Sequence, residues 1–174
     1  MTTYMVEHGF ARPDWEADWN AWYASNMTVL LGVPGFRTGQ RFRRLGSALP
    51  RYMAMYTLDS TDVLESQAYK NAGGGGVKSA RFRPAYEIWI RNLFEGAESA
   101  PNVTPGQYLV LFDAVQPLKE LRDRAIVWMN SVDLHRTTPV RGLYVVAESD
   151  VDDLDLSQAN GVYAPITSQQ QQLY

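Results

Sequence analysis

Residues Trp15–Phe42 read WEADWNAWYASNMTVLLGVPGFRTGQRF, and the rest of the chain is organised around them. Trp15, Trp19, Trp22, Asn26 and Leu30 recur at the 3.6-residue period of an α-helix. Tyr23 and Met27 lie on the same side, slightly rotated, while Glu16, Asp18, Asn20, Ser25 and Thr28 fall mostly elsewhere. Pro13 suits a first helical turn, and Asp14 can cap the free N–H groups there. Gly32 is placed to end the helix in a left-handed conformation, and Pro34 prevents its resumption. Each indole on such a stripe can bury roughly 150–250 Å², which predicts a packed face. Asn26 adds a second expectation, because an amide on an apolar stripe needs a hydrogen-bond partner. Part of the face is therefore expected to line a pocket.

Working outward, Thr3–Phe10 alternates as a strand, with Tyr4, Val6, His8 and Phe10 on one face. After the helix, Phe36–Arg44 reads as a second strand and Arg51–Leu58 as a third, the latter with Tyr52, Ala54, Tyr56 and Leu58 on one face. Asp59 or Ser60 caps a short helix through Lys70, and the glycines of Asn71–Gly76 form a flexible loop. Tyr86–Phe94 is a fourth strand with both faces largely apolar. The order is β-α-β-β-α-β, the ferredoxin-like arrangement. Residues 1–96 form this α+β domain. Residues 105–150 predict a partial second β-α-β unit packed on the first: strand Gln107–Val115, a helix from Pro117 to about Met129, and strand Arg141–Glu148. Residues 151–174 read as an extended tail.

A chain of 174 residues can bury a core without staples. Its formal charge of −3 argues against nucleic acid as a partner. No apolar run approaches the roughly 20 residues of a membrane helix, and Met1–Phe10 lacks the pattern of a secretion signal. With no cysteine there is no disulfide or thiolate chemistry. A cytoplasmic location is the expectation.

Through W-x-x-W-Y, L-x-G-V-P-G-F and R-F, spanning Trp19–Phe42, the sequence resembles the dimeric α/β-barrel superfamily, in particular its EthD-like branch. The matching residues are Trp22-Tyr23, Val33-Pro34-Gly35-Phe36 and Arg41, and the resemblance covers roughly residues 3 to 94. It implies a four-stranded antiparallel sheet packed on its helices and a homodimer formed through the opposite sheet face. The superfamily includes monooxygenases without cofactors, lactone isomerases, polyketide cyclases and haem-binding enzymes. Many relatives carry a histidine a few residues after the W-Y pair. Ser25, Asn26 and Met27 stand in that region, so that histidine has no counterpart on this helix.

His8 is the candidate acid or base. It is one of two histidines and shares a strand face with Tyr4, Val6 and Phe10. Some cyclase-like relatives also place a histidine on the first strand. Trp22, Tyr23, Asn26, Arg41, Tyr52, Trp89 and Arg91 are the candidate binding residues for a small apolar or aromatic ligand. Arg41, Arg43, Arg44 and Arg51 also read as a solvated basic edge. No resident cofactor is expected, with haem on His8 as the alternative. Sharper motifs fail. In GGGGVKS, Gly73–Ser79, Val77 stands where a phosphate-binding loop needs glycine before its lysine. In Asp150–Asp155, Leu154 breaks calcium-ligand spacing. Two distant histidines do not make a metal site. The expectation is an enzyme for proton transfer, cyclisation, isomerisation or oxygenation of an aromatic, lactone or polyketide-like molecule. The alternative is a non-catalytic binding or assembly module of the same fold.

Overall fold

A computed structural model describes residues 1–121, 125–153 and 156–173. The strands are β1 (Thr2–Phe10), β2 (Phe36–Arg44), β3 (Tyr52–Leu58), β4 (Tyr86–Glu95), β5 (Gln107–Ala114), β6 (Val127–Leu134), β7 (Val140–Ala147), β8 (Gly161–Pro165) and β9 (Gln170–Gln171). Helix α1 (Pro13–Leu31) carries the tryptophans, and α2 (Gln67–Asn71) is a single short turn. The strands run in the order β3-β1-β4-β6-β7-β5-β8-β2, and β2 pairs back onto β3. The result is a closed antiparallel barrel, with β9 added beside β8 on the edge of β2.

This corrects the expected fold. The first four strands are not an open ferredoxin-like sheet with a partial β-α-β unit behind it. They form half of a barrel whose other half is β5–β8 of the same chain. The expected helix from Pro117 is replaced by a 3₁₀ turn at Lys119–Leu121 and by strand β6; residues 122–124 of that span lie outside the described residues. The period explains it. Met129 and Ser131 are buried with Asn130 between them exposed, the two-residue alternation of a strand. Strand β6 also pairs with the edges of β4 and β7, which would otherwise present unpaired backbone groups. Strand β8 comes from the segment read as a tail and closes the ring between β5 and β2.

Alternation along each strand sorts side chains into two layers. Met5, Phe42, Met53, Met55, Phe94, Leu111, Met129 and Leu143 fill the barrel. Tyr4, Val6, Phe10, Tyr52, Ala54 and Tyr56 face outward and are covered by α1. Register shifts between Phe36 and Thr38, so Phe36 joins the outer layer and Phe42 the inner one. Helix α1 starts with Pro13 in its first turn, as its sequence predicts, but Asp14 pairs with the Arg12 guanidinium. Gly32 keeps ordinary right-handed angles; the left-handed residue of that turn is Gly35, at φ 93°. The stripe is rotated from its sequence reading: Trp19, Tyr23, Met27, Leu30 and Leu31 are buried, whereas Trp15 and Trp22 are only partly so.

Inside the barrel, Arg141 joins two carboxylates. Its Nη1 donates to Glu7 Oε2 at 2.8 Å, and its Nε and Nη2 donate to Asp113 Oδ1 and Oδ2 at 2.6 and 2.9 Å. Burial alone would lower the Arg141 pKa, but the hydrogen bonds and charges of Asp113 and Glu7 hold it above the ordinary value. The guanidinium also lies over the Phe94 ring.

Candidate functional site

Strand β1 delivers Glu7 to the barrel and its neighbour His8 to the outer layer, under α1. His8 is 3% exposed and sits opposite Tyr52 of β3 and Trp89 of β4. Its ring meets Trp19, Tyr23 and Tyr86 edge-on, at centroid distances of 5.4, 5.4 and 4.9 Å. Burial, with a smaller contribution from the Arg41 charge, lowers its pKa to about 3. The imidazole is therefore neutral at neutral pH.

His8 opens onto a cavity of about 50 Å³ between α1 and the sheet. Helix α1 contributes Trp22, Tyr23, Asn26 and Leu30; the strands contribute Tyr4, Val6, Tyr56, Tyr86, Trp89 and Arg91. Tyr69, the backbone of Gly73–Gly76, Lys78 and Ser79 complete it. The glycine run forms a roof. Gly73, Gly75 and Gly76 all have positive φ. A Cβ on Gly74 would stand 2.3 Å from the Tyr69 ring, and one on Gly76 would stand 2.6 Å from Trp89. The roof is tied down by a bond from Gly75 N–H to the Tyr69 hydroxyl at 2.8 Å, and by bonds from Ser79 and Arg83 to the Gly76 carbonyl.

Among the described residues, the buried side-chain atoms without a hydrogen-bond partner are His8 Nδ1, the Tyr56 hydroxyl, Arg91 Nε and Ser131 Oγ. Three of these belong to residues lining the one cavity. Leaving a buried polar group unmet costs about 1–3 kcal/mol, so three such residues around one cavity make it the candidate site. Burial holds the hydroxyls of Tyr4, Tyr23 and Tyr56 above the ordinary phenol range, making them neutral donors.

Of the sequence candidates, His8, Trp22, Tyr23, Asn26, Trp89 and Arg91 come together around the cavity. Arg41 and Tyr52 do not line it. Arg41 is not on a solvated edge either: it is 3% exposed, 4.3 Å above the Tyr23 ring and 5.0 Å from the Trp19 ring, and bonds to Asn20 Oδ1 at 2.8 Å. Its pKa is lowered by burial. It stands behind the His8 wall as a buried cation with no carboxylate in ion-pair contact among the described residues. Tyr52 turns away and donates to the Glu16 carboxylate. Sequence reasoning missed Tyr4, Tyr69 and the glycine roof. Tyr4 was legible as a member of the His8 face; the roof carried no signal beyond its glycines.

Among the described residues, no three His, Asp or Glu side chains gather as a metal site, and no helix is long and apolar enough to cross a membrane. No family model matches the chain, and no curated protein matches it. Solved structures do. An "anthrone oxidase-like protein" superposes with a TM-score of 0.65 at 10% identity, over 99% of this chain and 94% of its own. A "putative monooxygenase from Lactobacillus acidophilus NCFM" superposes with a TM-score of 0.58 at 6% identity, over 98% of this chain and 96% of its own. At such identities the likeness is one of fold.

Proposed function

We propose that the protein is a small-molecule enzyme working without a resident cofactor, and that its substrate is a flat aromatic, lactone or polyketide-like molecule bound between α1 and the sheet. The observation that carries this reading is His8 Nδ1: a buried, neutral, unpartnered imidazole nitrogen on an aromatic cavity. The fold neighbours, described as anthrone oxidase-like and as a monooxygenase, support the same class of chemistry. The EthD-like features Trp22-Tyr23 and Val33–Phe36 accord with it.

In this reading His8 takes a proton from an activated carbon or a phenolic hydroxyl of the substrate. A pKa of about 3 makes the imidazole a weak base in the empty site. The enolate or phenolate formed beside it offsets the Arg41 charge and raises its basicity as the proton moves. The neutral Tyr56 hydroxyl, with no partner of its own, donates to that oxyanion. The ionised substrate then re-protonates elsewhere or reacts with dioxygen.

Anthrone in aerated buffer tests the idea. Conversion of anthrone and dioxygen to anthraquinone and water is followed by absorbance. Wild type is expected to accelerate it, and His8→Gln to lose about 10²–10⁴-fold of that acceleration while keeping its far-ultraviolet circular dichroism. Undiminished turnover by His8→Gln would remove histidine from the mechanism.

A further inference from the structure

We propose that the ligand of this cavity carries a carboxylate, or an equivalent oxyanion, at the edge of its aromatic frame, and that Arg91 with Lys78 receives it beneath the glycine roof. The inference rests on the aromatic pocket proposed above and adds the charge of its occupant. No Asp or Glu lines the cavity, whereas Lys78 and Arg91 do. Neither cation makes an ion pair with a carboxylate among the described residues. In a chain of net charge −3, a cavity whose charged lining residues are both cations is a local inversion of the overall charge.

The position of Arg91 gives the inference its geometry. The Arg91 backbone is pinned: its N–H donates to His135 Nδ1 at 3.2 Å, and its carbonyl accepts from the His135 N–H at 3.0 Å. Its guanidinium lies 4.9 Å from the Trp89 ring centroid, and Nη1 reaches to 4.0 Å from where a Cβ of Gly75 would stand. Nε is buried and unmet. A guanidinium over an indole keeps its N–H edge available, and a planar carboxylate can accept two parallel bonds from that edge. Trp89 thus offers one surface to both the ring system and the arginine that reads its substituent. Lys78 adds a second charge, its chain folded beside Gly73.

The roof explains how such a molecule enters. The cavity is about 50 Å³, well below the roughly 150 Å³ that holds benzene in a packed core. The Gly73–Gly76 run lies beside Arg91; its Gly75 N–H donates to the Tyr69 hydroxyl, its Gly76 carbonyl accepts from Ser79 and Arg83, and the Gly73 and Gly74 N–H groups donate to the Lys70 and Tyr69 carbonyls. Lifting it frees the guanidinium edge and enlarges the site together.

Calorimetric titration of the full chain with 2-naphthol and with 6-hydroxy-2-naphthoate, at low salt, tests this. The carboxylate is expected to bind at least about tenfold more tightly, and the gap is expected to shrink at high salt. Arg91→Gln should bring the two affinities to within about twofold of each other. Lys78→Gln should narrow the gap by about threefold. Arg91→Lys, which keeps charge without the fork, should retain part of it and serves as the test if the glutamine variant loses naphthol as well. Equal binding of the two probes to wild type overturns the carboxylate while leaving the aromatic pocket standing. A preference that survives both Arg91 variants overturns the role of Arg91. Failure of both probes to bind removes the pocket reading and this one together.

Discussion

Adjacent residues of one strand, Glu7 and His8, enter two polar environments that behave oppositely. Glu7 points into the barrel, where the Arg141 guanidinium bonds both it and Asp113. His8 points under α1, where its Nδ1, the Tyr56 hydroxyl and Arg91 Nε all lack partners. A structural cluster satisfies its groups from within the chain. A cluster meant for an outside molecule leaves some of them open. The contrast is sharper for being local, since both clusters are buried and both contain an arginine near aromatic rings.

Breaking the closed cluster should cost the most. Arg141→Met strips Glu7 of its hydrogen-bonded cation inside the barrel, and the expected loss is about 3–5 kcal/mol in urea unfolding. A loss under about 1 kcal/mol would mean that water reaches Glu7 and that the two clusters are alike. The roof comes next. Gly74→Ala pushes a methyl into the Tyr69 ring, and about 1–3 kcal/mol of destabilisation is expected from overpacking, with the affinity for any aromatic probe changed as well.

The open cluster should show itself through pH. The folded pKa of His8, about 3, lies below its ordinary value of 6.5. Between those values the unfolded chain binds a proton that the folded chain refuses. Stability therefore falls as pH drops through that window, by up to about 1.4 kcal/mol per pH unit from this one group. Chemical denaturation of wild type and His8→Gln across the window is expected to show the shallower slope in the variant. Parallel slopes would place a partner on His8. The smallest effect belongs to Tyr56→Phe. It removes a hydroxyl that has no partner to lose, so the melting temperature should stay level or rise slightly, whereas the same change should weaken binding of a ligand with an oxyanion.

Much of the site was legible because it depends on periods. Alternation in β1 put His8 with Tyr4 and Val6, and the helical stripe brought Trp22, Tyr23 and Asn26 over them. The closure of the barrel was not. Val127–Leu134 follows a proline and a polar stretch that look like a helix start, and the edges of β4 and β7 that draw it into a strand lie elsewhere in the chain. Arg41 read as solvated because it stands in the basic run RFRR at residues 41–44; only the docking of α1, with Asn20 and two aromatic faces, buries it. Glu7 and Arg141 are 134 residues apart, and no local pattern announces such a pair.

Strand β8 lies in the ring between β5 and β2, yet it is made of residues 161–165. A ribosome emits the chain from its first residue onward. The flanks of β2 and β5 that face β8 must therefore wait, unzipped, until residues 161–165 have emerged. Recovery of this protein from an expression host should depend more on shielding those flanks during synthesis, by slower growth or by a holding chaperone, than on anything done to the pocket.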